Sequence, residues 1–113
     1  MGENTIVVKS KRFALEVIAL YKMLVAEKKE FVLSKQLLRS GTSIGANVRE
    51  AQRAQSKADF VSKMSISLKE ADESAYWLEL LHESGYLPSE EFDPIYSACD
   101  EIIRLLVAIT KPR

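Results

Sequence analysis

Two glycines four residues apart, Gly41 and Gly45, sit inside a stretch whose other residues keep helical spacing. The segment reads Ser40-Gly41-Thr42-Ser43-Ile44-Gly45-Ala46-Asn47. Within a helix each glycine costs about 1 kcal/mol relative to alanine. Residues four apart share a helix face, so a chain that keeps both glycines needs a second helix backbone to come very close there. The constraint concerns packing, not chemistry. It points to an all-α protein built by close helix contacts.

Apolar periodicity divides the chain into four such helices. The first is expected from about Ser10 to Lys28, with Phe13, Val17, Leu20 and Leu24 on one line and Ala14, Ile18, Tyr21 and Val25 beside it. Together they span an arc of about 160°, wider than one solvated helix needs, so this helix is expected to touch more than one neighbour. The second runs from a capping Ser34 to about Ala54, with Leu37, Ile44, Val48 and Ala51 inward. The third opens on Ser56-Lys57-Ala58-Asp59, similar to a capping box. Its inner face holds Phe60, Met64, Ser67, Leu68, Ala71, Ala75 and Leu78, and Gly85 is a natural stop. The small residues Ser67, Ala71, Ser74 and Ala75 would admit a close partner helix.

Two starts compete for the fourth helix. Either Ser89 caps it, with Glu90 and Glu91 in the first turn and Pro94 inside, or Asp93 caps it with Pro94 at the first position. Phe92, Ile95, Tyr96, Cys99, Ile102, Ile103, Leu106 and Thr110 form its inward face. Short connections make neighbouring helices antiparallel. The expected architecture is an up-down-up-down four-helix bundle with helices of matching length, in a single domain over residues 1–113.

A chain of 113 residues with 47% hydrophobic content suffices for one core. Apolar runs are too short to span a bilayer, the first ten residues lack a signal-peptide pattern, and Cys99 has no second cysteine to pair with. The expected location is the cytoplasm. Net charge is zero, yet the charges are segregated. Through Lys63 there are 12 basic and 6 acidic residues, and from Met64 onward 4 basic and 10 acidic. Such segregation is a footprint of nucleic-acid contact or of oppositely charged faces pairing within or between subunits.

Catalytic constellations are hard to assemble from these residues. His82 is the only histidine, so zinc and di-iron ligand sets lack members. Glu50, Glu70 and Glu73 therefore gain no metal-binding role. Cys99 lies on an apolar face and reads as a buried small hydrophobe. Ser40-Gly41-Thr42-Ser43 lacks the spacing and preceding strand of a phosphate loop. No cofactor and no metal is expected, nor an enzyme.

Two surface features remain. Lys35, Arg39, Arg49 and Arg53 lie within about 40° of one line on the second helix, extended by Lys57 and by Lys9, Lys11 and Arg12. Cations so arranged are candidate contacts to nucleic-acid phosphates, although no aromatic residue is interleaved for base stacking. Ile66, Tyr76, Trp77 and Leu80 lie off the inner face of the third helix. An exposed tryptophan and isoleucine there suit a subunit interface.

The segments Leu33-Ser34-Lys35-Gln36-Leu37-Leu38-Arg39-Ser40 and Thr42-Ser43-Ile44-Gly45-Ala46-Asn47-Val48-Arg49-Glu50 resemble the signature of the four helix bundle protein family, also called the 23S ribosomal RNA intervening-sequence protein family. Glu79-Leu80-Leu81 and Ser84-Gly85-Tyr86-Leu87 fit its third helix and following turn. The resemblance implies a bundle that assembles into a ring-shaped homopentamer. Some relatives are encoded within insertions in bacterial 23S rRNA genes, which explains a ribosomal-protein label. A related branch, the accessory variability protein of diversity-generating retroelements, forms a basic pentamer that binds nucleic acid and a reverse transcriptase. This chain departs from that branch in having no net charge. Ser43, Asn47 and Glu50 match the family pattern, with no catalytic role attached to them.

The reading that follows is a non-enzymatic, cytoplasmic homo-oligomer that presents its basic stripe to RNA or a nucleoprotein. The alternative is an adaptor that binds protein, its acidic second half taking a basic partner, without nucleic-acid contact.

Overall fold

The computed structural model describes residues 2–112 and contains four helices: α1 (Gly2–Ala26), α2 (Leu33–Ala51), α3 (Lys57–Glu83) and α4 (Ser89–Thr110). No strand occurs among the described residues. Each helix packs against its chain neighbours and α1 closes on α4, while neither diagonal pair meets. The bundle is therefore square in section, measuring 44 × 19 × 19 Å. Its α1/α2 side faces directly away from its α3/α4 side.

The apolar lines meet on the bundle axis. Phe13, Val17, Leu24, Leu37, Ile44, Val48, Met64, Leu78, Ile102 and Leu106 are almost fully buried, each contributing about 1.5–3 kcal/mol by leaving water. Of the two glycines, Gly41 performs the packing role that their spacing implied, and Gly45 does not require it. A Cβ on Gly41 would lie 2.8 Å from Val17 Cγ2, whereas one on Gly45 would lie 3.4 Å from the Ser10 backbone carbonyl. Gly41 thus admits a side chain of α1, whereas a Cβ on Gly45 would only touch the α1 backbone at ordinary contact distance.

Small residues make the α2/α3 contact equally close. Ser40 and Ser74 hydroxyls lie 2.8 Å apart, and Ser67 donates to the Ile44 carbonyl at 2.9 Å. Across the α3/α4 seam the Cys99 thiol donates to the Ala71 carbonyl at 3.3 Å. Buried hydroxyls and a thiol are tolerated because each finds an acceptor.

Several boundaries differ from the sequence expectation. Helix α1 begins well before Ser10, because Ile6 is fully buried one heptad before Phe13 and extends the same apolar line. Ser34 does not cap α2. Val32 occupies that position without a side-chain bond. The Glu30 carboxylate accepts instead from the backbone N–H groups of Val32, Leu33 and Ser34 at 2.7–3.1 Å, and the Ser34 hydroxyl donates back to the Glu30 carbonyl. Lys29, with φ of +56°, turns the chain so that this carboxylate points at the helix.

The helices are of unequal length, at 25, 19, 27 and 22 residues, since α2 stops at Ala51. Ser56 caps α3 as expected, accepting from Asp59 N, but Asp59 reaches back to Gln55 N instead of the cap residue. Gly85, at φ of +92°, forms the turn after α3, with Gly85 N bonded to His82 O and Tyr86 N to Leu81 O. Of the two starts for α4, the earlier holds. Ser89 is its first residue, Glu90 and Glu91 lie in the first turn, and Pro94 lies within the helix. The capping position itself is Pro88, whose carbonyl accepts from Glu91 N and Phe92 N.

Candidate interaction surfaces

The basic line of α2 divides into paired and unpaired parts. Arg39 reaches across to α3, where its guanidinium binds Glu70 at 3.3 Å and also Glu73. Its charge is largely neutralised by the acidic half of the same chain. Lys9 is likewise paired, with Glu101 of α4 at 3.1 Å. Lys11, Arg12, Lys35, Arg49, Arg53 and Lys57 make no ion pair among the described residues. The expected stripe is thus not one surface but two outlying lysines, a neutralised centre and a cationic pair at its far end.

That pair borders an open groove of about 670 Å³ between α1 and α2. Its walls carry Lys11 on one side and Arg49 and Arg53 on the other, with Ala14, Gly45 and Ala46 among its lining residues. The groove exists because α2 offers a glycine and an alanine where larger residues would fill the seam. Ser10, Thr42 and Gln52 add polar groups. Linear spacing sets Lys11 on another helix, as an extension of the stripe; the α1/α2 packing brings it to the same groove as the arginines.

The opposite side of the bundle is acidic. Tyr96 of α4 donates to Glu79 of α3 at 2.5 Å. That bond, aided by burial, pushes the Tyr96 phenol up to about 12. Burial likewise pushes the Cys99 thiol up to about 12, with the charges of Asp72, Asp100 and Glu79 adding to it. Cys99 is a buried neutral thiol, not a nucleophile. At the end of this seam His82 stacks on Phe92, centroids 4.1 Å apart, and Phe92 stacks on Tyr96 at 4.7 Å. His82 Nδ1 lies 2.8 Å from the Leu87 carbonyl. A carbonyl only accepts, so Nδ1 carries a proton. His82 is thereby half-buried and built into the turn, not a lone surface group.

The four apolar residues singled out on α3 fall into two classes. Ile66 and Tyr76 are exposed, at 42% and 54%. Trp77 and Leu80 are half-buried, Trp77 packs on the chain's own core, and its Nε1 is buried without an acceptor among the described residues. The expectation of an exposed tryptophan is corrected here, because the wide inner face of α3 draws the indole inward. Among the family-pattern residues, Ser43 donates to the Arg39 carbonyl at 2.7 Å and Asn47 to the Ser43 carbonyl at 2.8 Å, while Glu50 is exposed. Two of these three spend a donor on the α2 backbone. No group of three or more potential metal ligands occurs among the described residues. No helix is long and apolar enough to cross a membrane.

A model of the 23S rRNA-intervening sequence protein family matches residues 2–108. The chain is also similar to a solved structure from Bacteroides thetaiotaomicron, a protein of unknown function from the S23 ribosomal protein family. The two are 54% identical over 99% of this chain and 100% of the other, with a TM-score of 0.96. No curated protein matches the chain.

Proposed function

Since the chain belongs to the 23S rRNA-intervening sequence protein family, we propose that it serves as a non-enzymatic assembly protein of the cytoplasm, a homo-oligomer with the pentameric ring that the family resemblance implies. The observation that carries this reading is uncompensated charge on opposite sides of the bundle. Cations line the α1/α2 groove and acids flank the α3/α4 seam, and among the described residues only Lys9 and Arg39 make ion pairs to another helix. A protomer that leaves its own halves unpaired, with Ile66 and Tyr76 exposed beside them, is complementary to copies of itself. Light scattering at micromolar concentration tests it. The expected mass is several times the 12.7 kDa of one chain, and a monomer retires the reading.

A second reading is favoured by the unpaired cations themselves. Lys35, near the start of α2, and Lys57, at the start of α3, are exposed, and Arg49 and Arg53 join them wherever no subunit covers the groove. Repetition around a ring multiplies these cations into a field able to hold RNA or a nucleoprotein by its phosphates. Affinity for a structured RNA is expected to fall steeply between 50 and 200 mM salt, as counterion release requires (about one log unit of slope per phosphate contact). Absence of binding at low salt removes this second role and leaves the assembly reading intact.

A further inference from the structure

We propose that the α1/α2 groove of one copy receives the Tyr76 face of the next copy, so that the assembly is joined by a repeated unlike contact. This rests on the self-assembly reading above and names the surfaces that meet. Asp72, Tyr76, Glu79 and Glu83 follow the spacing i, i+4, i+7, i+11, which places them on one line of α3. Glu79 holds Tyr96 of α4, and Asp72 lies near enough to Cys99 to act on its thiol. The line therefore runs along the α3/α4 side. Tyr76 stands at its centre, 54% exposed and tilted against Trp77 at 5.3 Å. Lys69, one heptad before Tyr76, is its one cation.

The groove is complementary in three respects. In charge, Lys11, Arg49 and Arg53 oppose Asp72, Glu79 and Glu83, and neither Asp72 nor Glu83 makes an ion pair among the described residues. In shape, Ala14, Gly45 and Ala46 leave a hollow of about 670 Å³, ample for one aromatic side chain. An arginine beside a tyrosine ring adds a cation–π contact. In length, the second wall runs from Thr42 to the end of α2 at Ala51 and continues through Gln52 and Arg53 just past it, against an acidic line of twelve residues from Asp72 to Glu83, about 16 Å of helix.

Symmetry follows from where the two surfaces sit. Groove and acidic line occupy opposite sides of a square bundle. A two-fold contact through either side would set cation against cation or acid against acid. Unlike contact avoids this and gives rings when the rotation closes.

Charge exchange tests the pairing, read as mass by light scattering with helicity checked by circular dichroism. Arg49→Glu with Arg53→Glu, and separately Asp72→Lys with Glu83→Lys, are each expected to yield folded monomers. The four substitutions together in one chain restore complementarity in reverse and are expected to restore the wild-type mass. Tyr76→Ala, which alters no charge, is expected to weaken assembly about tenfold or more. Wild-type mass in both two-site variants, or a monomeric four-site variant alongside an oligomeric wild type, overturns this pairing while leaving self-assembly standing. A monomeric wild type overturns both. Oligomers that form only with added RNA and vanish on nuclease treatment also overturn it, since the groove would then hold phosphates.

Discussion

Replacing Gly41 by alanine is expected to destabilise the bundle, against the usual preference of helices for alanine. The propensity change alone favours alanine by about 1 kcal/mol. The new methyl carbon, however, would lie 2.8, 3.0 and 3.2 Å from Cγ2, Cγ1 and Cβ of Val17. Carbon atoms attract best at about 3.5–4.0 Å, so all three contacts are repulsive. Val17 is fully buried, and a β-branched side chain in a helix has one strongly preferred rotamer, so it has nowhere to turn. Overpacking of this kind costs about 1–3 kcal/mol. The net expectation is a loss of about 1 kcal/mol, a fall in Tm of about 4 °C for a chain of this size.

Urea unfolding of a double-mutant cycle is the assay. Val17→Ala alone removes two buried methyl groups and is expected to cost about 1–3 kcal/mol. In the double variant the new methyl occupies the vacated space, so the combined loss is expected to fall short of the sum by about 1 kcal/mol or more. Gly45→Ala is the internal control, because its Cβ meets the Ser10 carbonyl at an ordinary 3.4 Å. It is expected to be neutral or mildly stabilising. A Gly41→Ala protein stabilised by the full propensity term, or losses that add within about 0.5 kcal/mol, would refute the packing argument.

Other outcomes follow from the caps and the buried thiol. The Glu30 carboxyl is held below the ordinary glutamate value, because the backbone N–H bonds of Leu33, Ser34 and Val32 together outweigh the opposing effect of burial. A group depressed in the fold adds stability above its unfolded value of about 4.3 and loses it as pH falls through the folded value. Glu30→Gln is therefore expected to lower the urea midpoint at pH 7 by the equivalent of about 1 kcal/mol, with the gap to wild type narrowing as pH falls below the unfolded value. Gly85→Ala meets no atom within 4 Å, so its expected cost of about 1–2 kcal/mol in thermal unfolding comes from the φ of +92° alone. Cys99 is expected to react with a chromogenic disulfide reagent only as fast as the bundle opens, because burial keeps its thiol neutral at pH 8. Rapid modification of the native protein would contradict that.

Most of the core was legible in the sequence because it depends on one period. Phe13, Val17, Leu37, Ile44 and Ile102 stand at helical spacing and are buried, while Phe60, Leu68, Phe92 and Ile103 of the same inner faces are half-buried. The start of α1 was missed because Lys9, Ser10 and Lys11 interrupt the apolar line before Ile6. Ser10 turns out to be buried, its hydroxyl bonded to the Val7 carbonyl. The Glu30 cap was hidden for a different reason. Local rules favour a serine at the first turn, whereas this carboxylate reaches the helix only because Lys29 adopts positive φ.

Surfaces were harder to foresee than the core. Linear spacing placed Arg39 in a row with Arg49, but only the α2/α3 contact reveals that Glu70 and Glu73 neutralise it. The groove is a property of two helices, and neither of its walls is distinctive alone. Trp77 was assigned to the outside by helical angle, yet a large indole near the edge of an inner face bends toward the core.

Sedimentation equilibrium of the wild-type protein, run at 50 mM and at 1 M salt, bears most directly on the claim that copies join through opposite charges. Complexes of roughly five times 12.7 kDa at the lower salt, dissociating toward single chains at the higher, are expected. A species of 12.7 kDa at both would contradict it.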